Sequence, residues 1–169
     1  ADEAGANKIN KNLLQTPISD IPKSGDLDAS NLGLLIANLM PENSIVSDEA
    51  ATSSFLVTPQ ALKAKPHDWL CLTGGSIGQG LPLAVGAAIA KPERPVITLH
   101  GDGGAMYTVQ ALWTQARENL NITNIIFANH SYEILKIELS RVGAVKTGQR
   151  ADSMFSLDNP KLDWIKLSQ

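Results

Sequence analysis

The chain holds one cysteine in 169 residues, which excludes an internal disulfide. That residue, Cys71, lies in the apolar run Trp69-Leu70-Cys71-Leu72 and reads as a buried, inert thiol. Positive charge is also scarce. Lys and Arg number 14 against 17 Asp and Glu, and the net charge of −3 gives no field to attract nucleic acid or an anionic membrane. An anionic ligand must then be held by a local device, such as a glycine-rich loop or a bound metal. No segment reaches the roughly 18 consecutive apolar residues of a membrane span. The opening Ala1-Asp2-Glu3-Ala4 lacks the basic-then-apolar pattern of a signal peptide. A cytoplasmic location is expected, with an organelle lumen after processing as the alternative. Internal repeats and low-complexity tracts are absent.

What is present suits one globular domain: 43% hydrophobic residues, 18% charged and 13 glycines, in a chain of single-domain length. Residues 1–29 are polar, contain Pro17, Pro22 and Gly25, and read as a linker or extended arm. The domain is expected over residues 30–169. Ser30 is placed to cap a helix whose apolar positions Leu32, Leu35, Ile36 and Leu39 recur at helical spacing until Pro41. Ser44–Ser47 predicts a short strand that runs into Asp48 and Glu49, a pair read as a solvated loop or as rim residues near a substrate.

A repeated strand–glycine–helix grammar follows. Trp69–Thr73 predicts a strand, then Gly74-Gly75-Ser76-Ile77-Gly78-Gln79-Gly80, then a helix of small residues over Leu83–Ala90. Val96–Leu99 predicts a strand, then Gly101-Asp102-Gly103-Gly104, then a helix over Ala105–Asn119. Ile122–Ala128 predicts a third strand, ending at Asn129-His130-Ser131, and Asp163–Leu167 is strand-like. β-Branched runs alternating with helices imply an α/β fold, a mostly parallel sheet covered on both faces. Such sheets bind ligands beyond the carboxyl ends of their strands, so the three loops should converge on one site.

The glycines admit two readings. Thr73 to Gly80 fits T-G-x-x-x-G-x-G, the nicotinamide-binding loop of NAD(P)-dependent short-chain dehydrogenases. Asp102 follows Gly80 by 22 residues, and Tyr132 and Lys136 form a Tyr-x-x-x-Lys pair. Spacing opposes this reading, because 72 residues precede the loop and Tyr132 follows Gly75 by only 57. The second reading uses the other two loops as well. Gly101-Asp102-Gly103 follows a strand, and Asn129 ends the next strand 27 residues after Asp102. One helix plus one strand fills that interval, so the two side chains emerge at neighbouring strand ends. The pattern resembles the thiamine-diphosphate signature.

From about Asp48 to Gln169 the chain is similar to the C-terminal, diphosphate-binding domain of acetolactate-synthase-type thiamine-diphosphate enzymes, relatives of benzoylformate decarboxylase. GGSIGQGLPLAVGAAIA (Gly74–Ala90), GDGGAMYTVQALWTQAREN (Gly101–Asn119) and FANHSYEILKIE (Phe127–Glu138) carry the match. The resemblance implies the thiamine-diphosphate-binding fold, a three-layer α/β/α sandwich, and a site for thiamine diphosphate with Mg²⁺. Asp102, the side-chain carbonyl of Asn129 and the backbone carbonyl of Ser131 would ligate the metal, with diphosphate oxygens and water completing its octahedron. Gly101, Gly103 and Gly104 would let backbone N–H groups approach the diphosphate. The Gly75 carbonyl would accept from the aminopyrimidine, Ile77 would support the bent cofactor, and Ser76 and Tyr132 would be neighbouring contacts. Two positions depart from the family pattern. His130 stands where a second Asn is frequent, read as a neutral loop residue or a substrate-facing acid–base group. Ser131 stands where Gly is frequent.

The resemblance also implies what lies elsewhere. The activating glutamate belongs to a pyrimidine-binding domain, of the same or a second subunit, so no catalytic residue is assigned here. This chain alone is expected to be inactive and truncated at its C-terminus. The parent is expected to be a homodimer or tetramer acting on a 2-keto acid as a decarboxylase or carboligase, in lyase or transferase chemistry. Acetolactate synthase is the first reading, and a benzoylformate-type decarboxylase or a non-catalytic homologue is the alternative. Ala84, Ala87 and Ala88 are expected on an exposed subunit interface, and Leu112, Trp113 and Ala116 in the core or an interface.

Overall fold

The computed structural model describes Ser24 and residues 27–143 and 148–169. The expected arm over residues 1–29 lies almost wholly outside them. Helix α1 spans Ala29–Leu39, and its N-cap is Asp28 rather than Ser30: the Asp28 carboxylate accepts the Asn31 N–H at 2.7 Å. Strand β1 (Ile45–Glu49), a 3₁₀ turn (Ala51–Ser53), helix α2 (Ser54–Ala61) and strand β2 (Asp68–Cys71) follow. Then come α3 (Gly80–Ala90), β3 (Val96–Gly101), α4 (Asp102–Ala105), α5 (Gln110–Arg117) and β4 (Ile122–Phe127). Short helices α6 (Glu133–Arg141), α7 (Gln149–Met154) and α8 (Trp164–Leu167) complete the described chain.

The four strands form one parallel sheet in the order β2-β1-β3-β4, with Ile45 level with Asp68 and Val96, and Val96 level with Ile122. From β1 the chain first builds outward to β2, then crosses back to place β3 on the other side of β1. That reversal makes the carboxyl end of β1 a topological switch point, the place where such sheets hold ligands.

Alternation along the strands sorts the two faces. Val46, Ile97 and Leu99 pack with Ile36 and Met40 of the α1 segment and Val57 of α2. Ile45 and Val96 pack on the other face against Ala84 and Ala88 of α3. Leu81, Ala105 and Ala111 extend this second layer toward Ile126 and Trp164. The result is helix, sheet, helix, in three layers. Small residues on α3 permit its close approach to the sheet, so Ala84 and Ala88 are buried there and Ala87 packs beside them, rather than forming the expected exposed interface.

Three local expectations fail for identifiable reasons. Cys71 is exposed, because β2 is an edge strand of the described sheet with both ends open to solvent. The helix expected over Ala105–Asn119 is broken into α4 and α5, and within the break Thr108 donates its hydroxyl to the Gly78 carbonyl at 2.7 Å. Asp163–Leu167 is helical rather than extended, with the Asp163 carboxylate accepting the Lys166 N–H at 3.1 Å as an N-cap. Trp113 is 63% exposed under the Arg117 guanidinium, and Ala116 is also exposed, whereas Leu112 packs against the second layer. Among the described residues no helix is long and apolar enough to cross a membrane.

Candidate functional site

The loops that leave the carboxyl ends of β2, β3 and β4 converge around a cavity of about 300 Å³. Gly75 and Ile77 line it from the first loop, Gly101 to Gly104 from the second, and Asn129, Ser131 and Tyr132 from the third. Nine of the ten residues singled out in the sequence therefore border one space; Ser76 is exposed on the same loop but does not line the cavity. Leu72, Phe127, Ile134 and Leu135 make much of the remaining wall apolar, and Ala50 to Ser53 close it above β1. Three larger hollows lie elsewhere. One of about 550 Å³ sits at the amino ends of the strands around Asp68 and Arg94, one of about 840 Å³ flanks β4 and α5, and one of about 480 Å³ is bordered by His130 and Lys161; none receives any of the ten residues.

Asp102 is the first residue beyond β3 and is 1% exposed. Its two oxygens accept backbone donors, the Gly103 N–H at 2.9 Å and the His130 N–H at 2.8 Å. The second bond couples the β3 turn directly to the β4 loop. Asn129 is exposed, and its side-chain oxygen accepts the Ser131 N–H at 3.0 Å in a local turn. The Ser131 hydroxyl donates to the Phe155 carbonyl at 3.2 Å, and the Tyr132 N–H to the same carbonyl at 2.9 Å, which fastens this loop to the segment after α7. A Cβ at Gly103 would stand 2.5 Å from Cε1 of Tyr132, so the aromatic ring rests on the glycine. In the first loop Gly74 and Gly75 adopt positive φ, and Ile77 stands 53% exposed at the cavity. The Gly75 carbonyl accepts the Ile77 N–H at 2.9 Å.

His130 does not face this cavity. Its φ of 55° turns the side chain toward a separate hollow lined by Lys161, Asp163 and Trp164, with Nδ1 3.9 Å from Asp102 Oδ2.

The Asp48–Glu49 pair is neither solvated nor in a loop. Asp48 accepts from the Ala50 N–H, the Ser54 hydroxyl and the Trp69 indole N–H at 3.0, 2.7 and 3.2 Å. Glu49 is buried and accepts the Gly78 and Gly80 N–H groups at 2.6 and 2.7 Å. His100 is fully buried beside it, with Nε2 3.0 Å from Glu49 Oε2 and Nδ1 3.0 Å from the Gly101 carbonyl oxygen. Burial pushes the Glu49 carboxyl up, but the His100 ring, the two glycine N–H donors and the His100 charge together outweigh it and hold it below the ordinary value. Sequence reading named Glu49 as a loop or rim acid and missed its pairing with His100. A histidine directly after the run Val96–Leu99, still within the buried strand, needs a buried partner, and an acid ending the neighbouring strand was the available signal.

Residues 52–169 match a family model described as "Thiamine pyrophosphate enzyme, C-terminal TPP binding domain". A Mycobacterium tuberculosis protein, provisionally named an acetolactate synthase large subunit (IlvX), is 48% identical over 148 residues, covering 86% of this chain and 28% of that protein. Benzoylformate decarboxylase of Pseudomonas aeruginosa is 31% identical over 123 residues, covering 73% of this chain and 23% of the relative. The solved structure of the thiamine diphosphate-dependent 4-hydroxybenzoylformate decarboxylase of Rhodococcus jostii superposes with a TM-score of 0.70 at 26% identity, covering 90% of this chain and 28% of that one. The chain thus spans about a quarter of the length of these relatives.

Proposed function

Because the chain belongs to the family of C-terminal thiamine-pyrophosphate-binding domains of thiamine pyrophosphate enzymes, we propose that its cavity holds the diphosphate half of thiamine diphosphate through a magnesium ion bound by Asp102 and Asn129. One observation carries the reading: loops from three strand ends bring Asp102, Asn129 and the Gly75 loop to one space. The donor set suits the ion. Among the described residues no three His, Cys, Asp or Glu side chains are grouped to hold a metal, so a cation here relies on one carboxylate and neutral oxygens. Magnesium is bound in that way, by one or two carboxylates plus substrate phosphates and water, and the Ser131 carbonyl would add a third protein oxygen.

Bound thiamine diphosphate supplies the nucleophilic carbon and the electron sink for chemistry at a 2-keto carbon. This chain's part is to bind and orient. Gly103 lets backbone approach where a side chain would strike Tyr132. Ile77 lines the cavity and would support the bent cofactor, and the Gly75 carbonyl is an acceptor on the same loop that would receive the aminopyrimidine. Leu72, Phe127, Ile134 and Leu135 give that side of the cavity an apolar lining.

The parent activity we infer is decarboxylation of a 2-keto acid, with ligation or release of the product, in a protein of the acetolactate synthase or benzoylformate decarboxylase kind. A pyrimidine-binding domain from the same or a second subunit would supply the activating glutamate, in a homodimer or tetramer, and the present chain alone would turn over nothing. A non-catalytic homologue would bind cofactor without turnover. The nicotinamide reading gains nothing from the geometry: Tyr132 rests on Gly103, and Lys136 pairs with Glu133 at 3.3 Å.

Thermal unfolding of the full-length protein tests the assignment. Mg²⁺ with thiamine diphosphate at a hundredfold excess over Kd should add about 2.7 kcal/mol of stability. The gain should need the metal and vanish in Asp102→Ala. A gain with NAD(H) in place of thiamine diphosphate would defeat the reading.

A further inference from the structure

The loop after β2 and the turn after β3 meet beneath the cavity on one buried contact. Glu49, at the end of β1, reaches the β2 loop through the Gly78 and Gly80 N–H groups and reaches β3 through His100. The two side chains are 5% and 0% exposed. The glycines around them are shaped to the pair. A Cβ at Gly80 would lie 2.8 Å from His100 Cδ2 and 3.1 Å from Glu49 Cβ, and one at Gly104 would lie 3.0 Å from His100 Cε1 and 3.1 Å from Glu49 Oε1. Loop and turn therefore close on the pair from both sides.

We propose that Glu49 and His100 are positioning residues which hold the Leu72–Gln79 segment, carrying Gly75 and Ile77, in fixed register with the Asp102–Gly104 turn, so that the two halves of thiamine diphosphate are received at a set spacing. The inference rests on the cofactor assignment above. Glu49 borders the cavity, but its oxygens are engaged by Gly78, Gly80 and His100, so it acts through them. Stability alone does not account for the pair. Even a fully ionised buried pair is commonly no better for stability than packed apolar side chains of the same volume. What the apolar alternative lacks is an acceptor for two backbone N–H groups of a glycine-rich loop. Other side-chain ties hold the loop by different atoms: Thr108 donates to the Gly78 carbonyl at 2.7 Å, the Ser47 hydroxyl to the Gly80 carbonyl at 2.9 Å, and Gln79 accepts the Thr73 N–H at 3.3 Å, whereas the Gly78 and Gly80 N–H groups are both bonded by Glu49.

The test uses the full-length protein as wild type, Glu49→Gln and His100→Gln. Hydrogen exchange without cofactor is followed on the peptide containing Gly78 and Gly80, with a β3 peptide as control. Glu49→Gln turns an amide donor toward a backbone donor, so exchange should quicken about tenfold or more in the loop peptide and not in the control. With Mg²⁺ fixed and saturating, the half-saturating thiamine diphosphate concentration should rise about ten- to a hundredfold, the range for residues that orient ligand-contacting groups. Turnover at saturating cofactor should largely recover. His100→Gln leaves the carboxylate and its two donors in place, and should move both readouts less in the same direction. It also serves if Glu49→Gln does not fold. Unchanged loop exchange and unchanged cofactor saturation in a folded variant, even one with lowered thermal stability, would overturn the proposal. Failure of the wild type to bind thiamine diphosphate would instead remove the cofactor assignment, while the cofactor-free exchange would still decide whether the pair holds the loop.

Discussion

Asp102 and His130 are joined by a 2.8 Å hydrogen bond from the His130 backbone N–H to the Asp102 carboxylate, which ties the turn after β3 to the loop after β4. The same carboxylate accepts the Gly103 N–H. An amide in its place offers one oxygen and one N–H₂ group, so Asp102→Asn sets a donor against a backbone donor at one of these bonds. Leaving a buried group unsatisfied costs about 1–3 kcal/mol. The cofactor-free variant should therefore unfold several degrees below wild type, and the metal-dependent gain with thiamine diphosphate should be lost as well. Differential scanning fluorimetry with and without Mg²⁺ separates the two effects. A variant that is destabilised yet keeps the metal-dependent gain would leave Asp102 as a purely structural joint.

Glu49 predicts an acid limb. Its folded-state carboxyl is held below the ordinary glutamate value of 4.5, so between the two values the unfolded chain binds the proton and the folded chain does not. Stability then rises with pH through that window, is fully present above the ordinary value and is lost as pH falls through the folded value. Urea midpoints for wild type and Glu49→Gln, taken from about pH 6 downward, should converge as the acid range is entered. A constant difference between the two proteins across the range would mean that the Glu49 charge contributes nothing to stability.

What was legible in the sequence follows from what is local. The interval from Asp102 to Asn129 spans one helix and one strand, and a right-register parallel pair, Gly101 level with Phe127, brings the two residues onto neighbouring loops. The glycine loops stand at strand ends for the same reason. Glu49 and His100 were not legible, because their partnership depends on β1 lying between β2 and β3, which no single segment encodes. Asp48 illustrates the same limit, since its Trp69 and Ser54 partners come from another strand and another helix. The exposed Cys71 and the buried Ala84 were misplaced because hydrophobicity alone does not distinguish an edge strand from a central one, or a helix face on the sheet from one in solvent.

Cys71 gives the cheapest check on that edge. It is exposed and lies near the carboxyl end of β2, so it should react with a water-soluble thiol reagent in the native protein. The rate should lie close to that of the same protein in denaturant and be insensitive to mild urea. Protection in the native state, released only on unfolding, would show that β2 is covered in the intact protein by a further element or a partner, where an exposed edge strand is otherwise open to pairing.

Gly103→Ala sets two physical effects against each other. Gly103 lies within α4, and replacing glycine by alanine inside a helix ordinarily stabilises by about 1 kcal/mol. Here the added methyl would stand 2.5 and 2.7 Å from two carbons of the Tyr132 ring and 3.4 Å from Leu157 Cδ1. The ring cannot simply withdraw, because the Tyr132 N–H is bonded to the Phe155 carbonyl and the Leu157 N–H to the His130 carbonyl, at 2.9 and 2.8 Å. Overpacking of this kind costs about 1–3 kcal/mol, so the clash should win and the variant should be less stable than wild type. Tyr132→Ala removes the obstacle. In the double variant, of the three nearest atoms only Leu157 Cδ1, at the 3.4 Å of ordinary contact, remains beside the methyl and the helix preference re-emerges, so Gly103→Ala should become neutral or stabilising in that background. A double-mutant cycle on urea denaturation should give a coupling of at least about 1 kcal/mol in the relieving direction. Additivity within about 0.5 kcal/mol would mean that the Tyr132 ring does not rest on Gly103 in solution, and the close approach offered to a diphosphate at that glycine would lose its structural support.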